Sequence, residues 1–159
     1  PARACNHVLV SDSTQGVPDG DVHQWFTRSR ALVDSGDANA ALLLIDRVLA
    51  EDPQSTAALE IKARALFDSK QFHEAAEVFT ILTERSPDDD YARYGLGVSL
   101  LRLQQFVEAL EQLSMAAVMS PDQRRYSTAL QQVRATINAR VEAGLALTGP
   151  IDTPRREHN

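Results

Sequence analysis

Apolar residues recur at helical spacing along most of the chain. In the first stretch Trp25, Ser29 and Leu32 fall on one face, and charged or polar residues fill most of the positions between them. Apolar positions three and four residues apart are typical of amphipathic helices. The pattern predicts six helices, with ends good to about two to four residues, at residues 22–35, 38–51, 55–68, 72–85, 89–102 and 106–119.

The helices repeat every 34 residues, as the equal spacing of Pro53, Pro87 and Pro121 shows most clearly. Other columns keep the same interval. Two columns hold small residues, namely Ser29, Ala63 and Gly97, and Ala41, Ala75 and Ala109. Three columns are apolar or nearly so: Leu32, Leu66 and Leu100; Ile45, Phe79 and Leu113; Val48, Leu82 and Ala116. A fixed period of this length indicates a stack of identical structural units.

The columns have a simple physical reason. Two antiparallel helices joined by a short turn approach closely only where small side chains meet. One hairpin cannot bury its own apolar stripe, whereas stacked hairpins bury it between neighbours. Gly36 and Asp37 read as a helix end and the next N-cap, and Pro53 follows the end of a second helix. The sequence therefore predicts three stacked helical hairpins.

A further amphipathic helix follows Pro121, at about residues 122–143, with Tyr126, Leu130, Val133 and Ile137 on its apolar face. A polar outer face lets a solenoid end without exposing the last hairpin, so we interpret this helix as a cap, the alternative being a dimerisation helix. We assign residues 1–20 and 147–159 to flexible ends, and residues 21–146 to one domain with repeats at about 22–55, 56–89 and 90–123.

The columns of residues 22–121 resemble the tetratricopeptide repeat, a helical repeat of the same length. The resemblance implies an all-α, right-handed superhelical solenoid of three helix-turn-helix repeats with a capping helix. This sequence departs from the family pattern at Arg93, where the other copies have Trp25 and Leu59, and at Ala38, where the later copies have Phe72 and Phe106.

The resemblance also implies a function, because the first helices of such repeats line a concave groove that binds a peptide or helix of a partner protein. Arginines on an aromatic floor would suit a ligand with apolar and acidic residues, although such residues are as often ordinary core and solvated surface. By repeat position the groove candidates are His23, Phe26, Arg30, Val33, Glu60, Ile61, Arg64, Phe67, Asp68, Tyr91, Tyr94, Val98, Leu101 and Arg102.

Some family members, co-chaperones among them, hold a partner's terminal carboxylate with a set of lysines, asparagines and an arginine. At the matching positions this chain has Phe26, Arg30, Ile61, Tyr91 and Gly95. That clamp is missing, which argues against a co-chaperone of this type. Arg30 and Arg64 could still hold a carboxylate in another way.

Charge and composition narrow the range of partners. The net charge of −6 and the lack of a basic stripe argue against nucleic acid. No apolar run reaches the roughly 20 residues that a membrane span needs. The lone cysteine, Cys5, suits a reducing compartment, so we expect a cytoplasmic location. The chain begins at Pro1, which leaves an upstream targeting segment open.

Reactive residues do not converge in the sequence, and we expect no enzyme activity, cofactor or metal. Cys5 and His7 supply too few ligands for zinc. The acidic run at residues 88–90 suits a helix start better than a calcium loop. We therefore predict a protein-interaction module, the alternative being a self-associating subunit that uses the capping helix or the convex face.

Overall fold

A computed structural model describes residues 20–150, and that range contains seven helices. They are α1 (Val22–Asp34), α2 (Ala38–Glu51), α3 (Thr56–Asp68), α4 (Phe72–Arg85), α5 (Asp90–Arg102), α6 (Phe106–Met119) and α7 (Arg124–Glu142). The first six agree with the predicted helices to within one residue at each end. Except for Gly20 and residues 147–150, the two predicted flexible ends lie outside the described residues.

The helices form three hairpins, α1–α2, α3–α4 and α5–α6, followed by α7. Each helix packs against the next one along the chain. The first helices of successive hairpins also touch, since α1 contacts α3, α3 contacts α5 and α5 contacts α7. This arrangement confirms the predicted stack of helix-turn-helix repeats with a capping helix.

The repeating columns form the core of the stack. Both small columns are buried, and Ala41, Ala75 and Ala109 have no exposed surface at all. Gly97 lies at a close approach of α5 and α6: a Cβ atom there would lie 2.6 Å from Cγ of Leu113. The small columns therefore allow the close helix crossings that the sequence predicted.

Side chains of the predicted cap residues accept hydrogen bonds from free backbone N–H groups at the N-termini of their helices. Asp37 accepts a hydrogen bond from the Ala40 backbone N–H at 3.1 Å, and Asp89 accepts one from Ala92 at 2.9 Å. The carboxylate satisfies a backbone donor that the helix itself leaves free. This confirms that the acidic run caps α5, and Asp90 lies in the first turn of that helix.

Arg93, the residue that breaks the Trp25 and Leu59 column, lies half-buried between α5 and α6. Its Nε donates to the Pro87 carbonyl at 2.7 Å, and its Nη1 donates to Gln112 Oε1 at 3.1 Å. The guanidinium group thus replaces an apolar side chain with polar bonds to the turn before α5 and to α6.

The chain continues past α7 into a segment at residues 145–150, which we call the C-terminal strap. Arg140, only 6% exposed, donates from Nη1 to the Ala146 carbonyl at 2.6 Å and from Nη2 to the Gly149 carbonyl at 2.5 Å. The Gly149 N–H donates to the Gln104 carbonyl at 3.2 Å. The strap carries the packed part of the chain four residues past the predicted domain boundary at residue 146.

Candidate functional site

The first helices α1, α3 and α5, together with α7, form one face of the stack, which we call the groove. Most of the predicted candidates are half-buried or exposed, as groove residues must be: His23, Phe26, Arg30, Glu60, Arg64, Phe67, Asp68, Tyr91, Tyr94, Val98, Leu101 and Arg102. Val33 and Ile61 are exceptions, because they are 4% and 5% exposed and pack into the core with Ile45 and Val48. They offer no surface to a ligand, and the structure corrects that part of the assignment.

The middle of the groove carries charges of both signs. Arg64 Nη2 lies 3.0 Å from Asp34 Oδ1, which ties α3 to α1. Burial raises the pKa of the Glu60 carboxyl, Asp89 raises it further, and Arg64 and Arg30 lower it. A pocket of about 160 Å³ opens beside this region, lined by Arg64, Phe67, Asp68, Phe79, Tyr91, Tyr94, Gly95 and Val98. Arg64 is thus already paired within the protein.

A larger cleft of about 640 Å³, which we call the α5–α7 cleft, continues the groove toward the end of the stack. Phe67, Tyr94, Val98 and Leu101 supply apolar surface from α3 and α5. Its other lining residues are Arg102, Gln104, Phe106, Arg125, Thr128, Ala129, Gln132 and Thr136. The lining contains two arginines and no carboxylate, so its side chains carry a net positive charge at this end of the groove.

Helix α7 is a wall of this cleft as well as the cap of the stack, which the sequence analysis missed. Its lining residues Arg125, Thr128, Gln132 and Thr136 each follow a residue of α5 by one repeat period, namely Tyr91, Tyr94, Val98 and Arg102. Extending the period by one more helix would have found them. The sequence did not suggest this match, because α7 lacks the small residue of the repeat: Gln131 stands where Gly97 stands in α5. In the described part of the chain, no second helix packs on α7 at that position.

Arg125 lies among three tyrosine rings at the start of the cleft. The carbon of its guanidinium group is 5.4 Å from the ring centre of Tyr91, 5.3 Å from that of Tyr94 and 5.2 Å from that of Tyr126. Tyr94 and Tyr126 stack with ring centres 4.7 Å apart. Cation–π contacts of this kind hold a guanidinium group in place without neutralising its charge.

Burial shifts the pKa of two of these tyrosines. Burial raises the pKa of Tyr91 to about 12, with Glu60 and Asp68 also raising it and Arg64 and Arg125 lowering it. Burial also raises the pKa of Tyr126, where a hydrogen bond with Arg125 acts in the opposite direction and nearby Asp90 reinforces the rise. Both phenols stay neutral at ordinary pH and can act as hydrogen-bond donors.

The outer face of α6 carries a second candidate surface, which we call the α6 patch. Met115, Val118 and Met119 are exposed there, Val118 by 82%, around an apolar hollow of about 280 Å³. The same columns hold Arg47, Ala50 and Glu51 in the first repeat, and Ile81, Glu84 and Arg85 in the second. The third repeat has thus exchanged mostly charged positions for apolar ones.

Metal ligands are not gathered in residues 20–150, where no three His, Cys, Asp or Glu side chains could share an ion. His23 and His73 are exposed, whereas Cys5, His7 and His158 lie outside the described residues. Within that same range, each helix is too short or too polar to cross a bilayer.

Solved structures with the same fold include three groups of proteins. A MamA fragment from Desulfovibrio magneticus is 24% identical with a TM-score of 0.71, over 78% of this chain and 70% of that one. The first repeat domain of human RPAP3 is 15% identical with a TM-score of 0.69, over 77% and 96%, and that of Spaghetti (RPAP3) has the same identity and TM-score over 74% and 93%. The Sgt2 repeat domain of Aspergillus fumigatus is 19% identical with a TM-score of 0.69, over 89% and 93%.

Sequence comparison gives the same assignment. No curated protein matches the chain. Two family models, both described as tetratricopeptide repeat, match residues 32–91 and 62–124 and together cover all three hairpins in part. With the regular repeat period and the stacked hairpins, these matches show that the chain belongs to the tetratricopeptide repeat family.

Proposed function

We propose that the groove binds a peptide or helix of a partner protein that carries both apolar and acidic residues. The observation that carries this proposal is the α5–α7 cleft, in which aromatic and aliphatic side chains lie beside Arg102 and Arg125 without a carboxylate. Arginine can pair with a carboxylate through two hydrogen bonds and also stack on a ring. The fold neighbour RPAP3, solved with the HSP90 peptide SRMEEVD bound, supports peptide binding by this kind of solenoid.

The ligand differs from that of a clamp-type co-chaperone. At the clamp positions this chain has Phe26, Arg30, Ile61, Tyr91 and Gly95, of which Ile61 and Gly95 are buried. A buried aliphatic side chain and a glycine cannot replace amide or ammonium donors. The proposed contacts come instead from Phe26, Arg30, Glu60, Arg64, Phe67, Tyr91, Tyr94, Val98, Leu101 and Arg102.

Val98→Glu tests the proposal, because Val98 is half-buried and lines both the pocket beside Arg64 and the α5–α7 cleft. The new carboxylate would remove apolar surface and neutralise nearby arginines. We expect the immobilised wild-type domain to capture a partner protein from cell extract, quantified by mass spectrometry. The Val98→Glu variant should capture at least about tenfold less of that protein.

Leu43→Glu is the matched control, since Leu43 is 74% exposed on α2, away from the first helices. Circular dichroism melts must show that both variants fold. Loss of the same partner in both variants, or in Leu43→Glu alone, would refute a groove-directed function.

A second function is favoured by the α6 patch, namely self-association through the convex face. The capping helix is a poorer candidate for this role, because Tyr126, Ala129 and Val133 are buried and α7 packs on α5 and α6. Sedimentation of wild type across a concentration series, compared with Val118→Glu, tests it. A dimer in wild type that Val118→Glu abolishes supports self-association, and a monomer throughout contradicts it.

A further inference from the structure

Two charges with different surroundings frame the α5–α7 cleft. Arg125, at the start of α7, lies against Tyr91 and Tyr94 near the start of α5. Arg102 lies on the last turn of α5, with its guanidinium carbon 5.9 Å from the ring centre of Phe72. The two cations therefore sit toward opposite ends of one helix, with Tyr94, Val98 and Leu101 between them.

Neither arginine forms an ion pair within the described part of the chain, and the carboxylate beside Arg125 is that of Asp90, which shares the Tyr126 hydroxyl with it. The ion pairs found there join Lys62 to Asp46 and Arg64 to Asp34, both outside the cleft lining. Arg125 and Arg102 are exposed and contact aromatic faces. Cation–π contacts leave N–H donors at the edge of the guanidinium group for an anion, although Arg125 also donates to the Tyr126 hydroxyl. Each arginine is thus oriented by the protein without an ion-pair partner of its own.

The length of α5 sets the separation of these two charges, because Arg125 lies beside Tyr91 and Tyr94 and Arg102 lies at the other end of the helix. Tyr91 and Tyr94 precede Arg102 by eleven and eight residues, which at the rise of an α-helix corresponds to about 12–17 Å. An extended peptide advances about 3.3 Å per residue and points alternate side chains to the same side, so residues about four apart span about 13 Å on one face. The residue midway between them would face the apolar floor.

We propose that the α5–α7 cleft is a two-point anion site, selecting an extended segment with two acidic side chains about four residues apart and a large apolar side chain midway between them. The site deepens the groove function and rests on it. Arg125 and Arg102 bind the two carboxylates, and the apolar side chain lies on Tyr94, Val98 and Leu101. Arg125, on the helix that also caps the stack, is a specificity-determining residue.

The probe is the peptide SSEAFAESS, acetylated and labelled at its first residue and amidated at its last. It reads the same in both directions, so no chain orientation is assumed, and the amide removes the terminal carboxylate. We expect saturable binding in fluorescence anisotropy. Arg125→Gln and Arg102→Gln each weaken it by about tenfold, because each loses a charge-assisted pair. Arg134→Gln, an exposed position of α7 outside the cleft lining, leaves it unchanged.

Two further peptides separate the two-point site from general attraction to positive charge. In SSQAFAQSS both carboxylates become amides, and in SSAEFEASS the two glutamates move to the opposite face of the extended chain. Both peptides should bind about tenfold more weakly than the probe. Equal binding of the probe and SSAEFEASS, no saturation with the probe, or binding indifferent to both arginine substitutions would overturn the proposal.

The partner captured by the groove separates this inference from the proposed function. Loss of that partner in Val98→Glu but full retention in Arg125→Gln and Arg102→Gln would leave the groove function standing and remove the two-point site. Retention in all three variants would refute the groove function itself.

Discussion

At the scale of single residues, one backbone column shows how the repeats differ. The turn inside each hairpin needs a left-handed residue, with φ of 90° at Gly36, 64° at Lys70 and 61° at Gln104. These three positions follow one another at the repeat period. Only the first copy has the residue that adopts this conformation without strain, because a side chain disfavours it by about 1–2 kcal/mol. The later two turns are held by the packing of their helices.

Substitutions in that column should change the stability of the domain in opposite directions. Lys70→Gly should stabilise the domain by about 0.5–1 kcal/mol, after allowing for the greater freedom of glycine in the unfolded chain. Gly36→Ala should destabilise it by about 1 kcal/mol through backbone strain alone, since no atom lies within 4 Å of the added Cβ. Urea unfolding of the two variants measures both changes. Changes of the same sign in the free energy of unfolding of both variants would contradict the role of backbone strain in this column.

The raised pKa of Tyr91 predicts that the domain loses stability at alkaline pH. Because its pKa rises from 10 to about 12 on folding, the neutral phenol is favoured in the folded state. Its contribution is complete below pH 10 and is lost as the pH rises toward 12, a change of about 2 kcal/mol. Tyr91→Phe should therefore lose less stability over this range than wild type, as measured by melting temperature. Phenolate absorbance should show one late-titrating group fewer in the variant.

Val33 and Ile61 show where the sequence was ambiguous. Val33 shares a column with Phe67 and Leu101, which do line the α5–α7 cleft. A larger side chain at that position reaches the groove surface, whereas valine ends inside the packing of α1 on α2. Ile61 follows Glu60 by one residue, and one residue on a helix turns the side chain by about 100°. Neither difference is visible in a list of apolar residues.

At the scale of elements, α7 both caps the stack and forms a wall of the groove, whereas the sequence analysis assigned it only the capping role. Val133 and Ala129 close the core around Phe106 and Leu113, and the neighbouring face forms the wall of the α5–α7 cleft. The strap adds support behind that wall, because Arg140 lies 4.6 Å from the Phe106 ring centre while holding two strap carbonyls. A sequence pattern indicates an amphipathic helix but not which of its polar residues meet another element.

Arg140→Ala should lower the free energy of unfolding by about 2 kcal/mol, because a buried charged donor of two hydrogen bonds is removed. Arg134→Ala, exposed on the same helix, should change it by less than about 0.5 kcal/mol. Chemical denaturation of both variants gives the comparison. Equal effects would mean that the strap contributes no stability.

At the scale of the whole molecule, the contacts are nearly one-dimensional. Each helix packs against its chain neighbours, and beyond those only successive first helices touch among the described elements. In such a stack, damage to one repeat is felt mainly by the adjacent ones. The two ends of the chain should therefore lose structure separately when one end is weakened.

Ile45→Ala and Leu113→Ala test this separation, since both side chains are fully buried in the same column of the first and third repeats. Each should cost about 3 kcal/mol in its own cluster. Hydrogen exchange should show faster opening of α1 and α2 for Ile45→Ala, and of α5, α6 and α7 for Leu113→Ala. Uniform acceleration in both variants would instead indicate one fully cooperative unit.

The sequence by itself determined the number, ends and stacking order of the first six helices. It could do so because the period, the small columns and the prolines after each second helix are local features that repeat in each copy. Only the tertiary structure decided which polar residues meet across the groove. Arg125 joins Tyr91 and Tyr94 because α7 packs beside α5, and residues this far apart along the chain come together only through that packing.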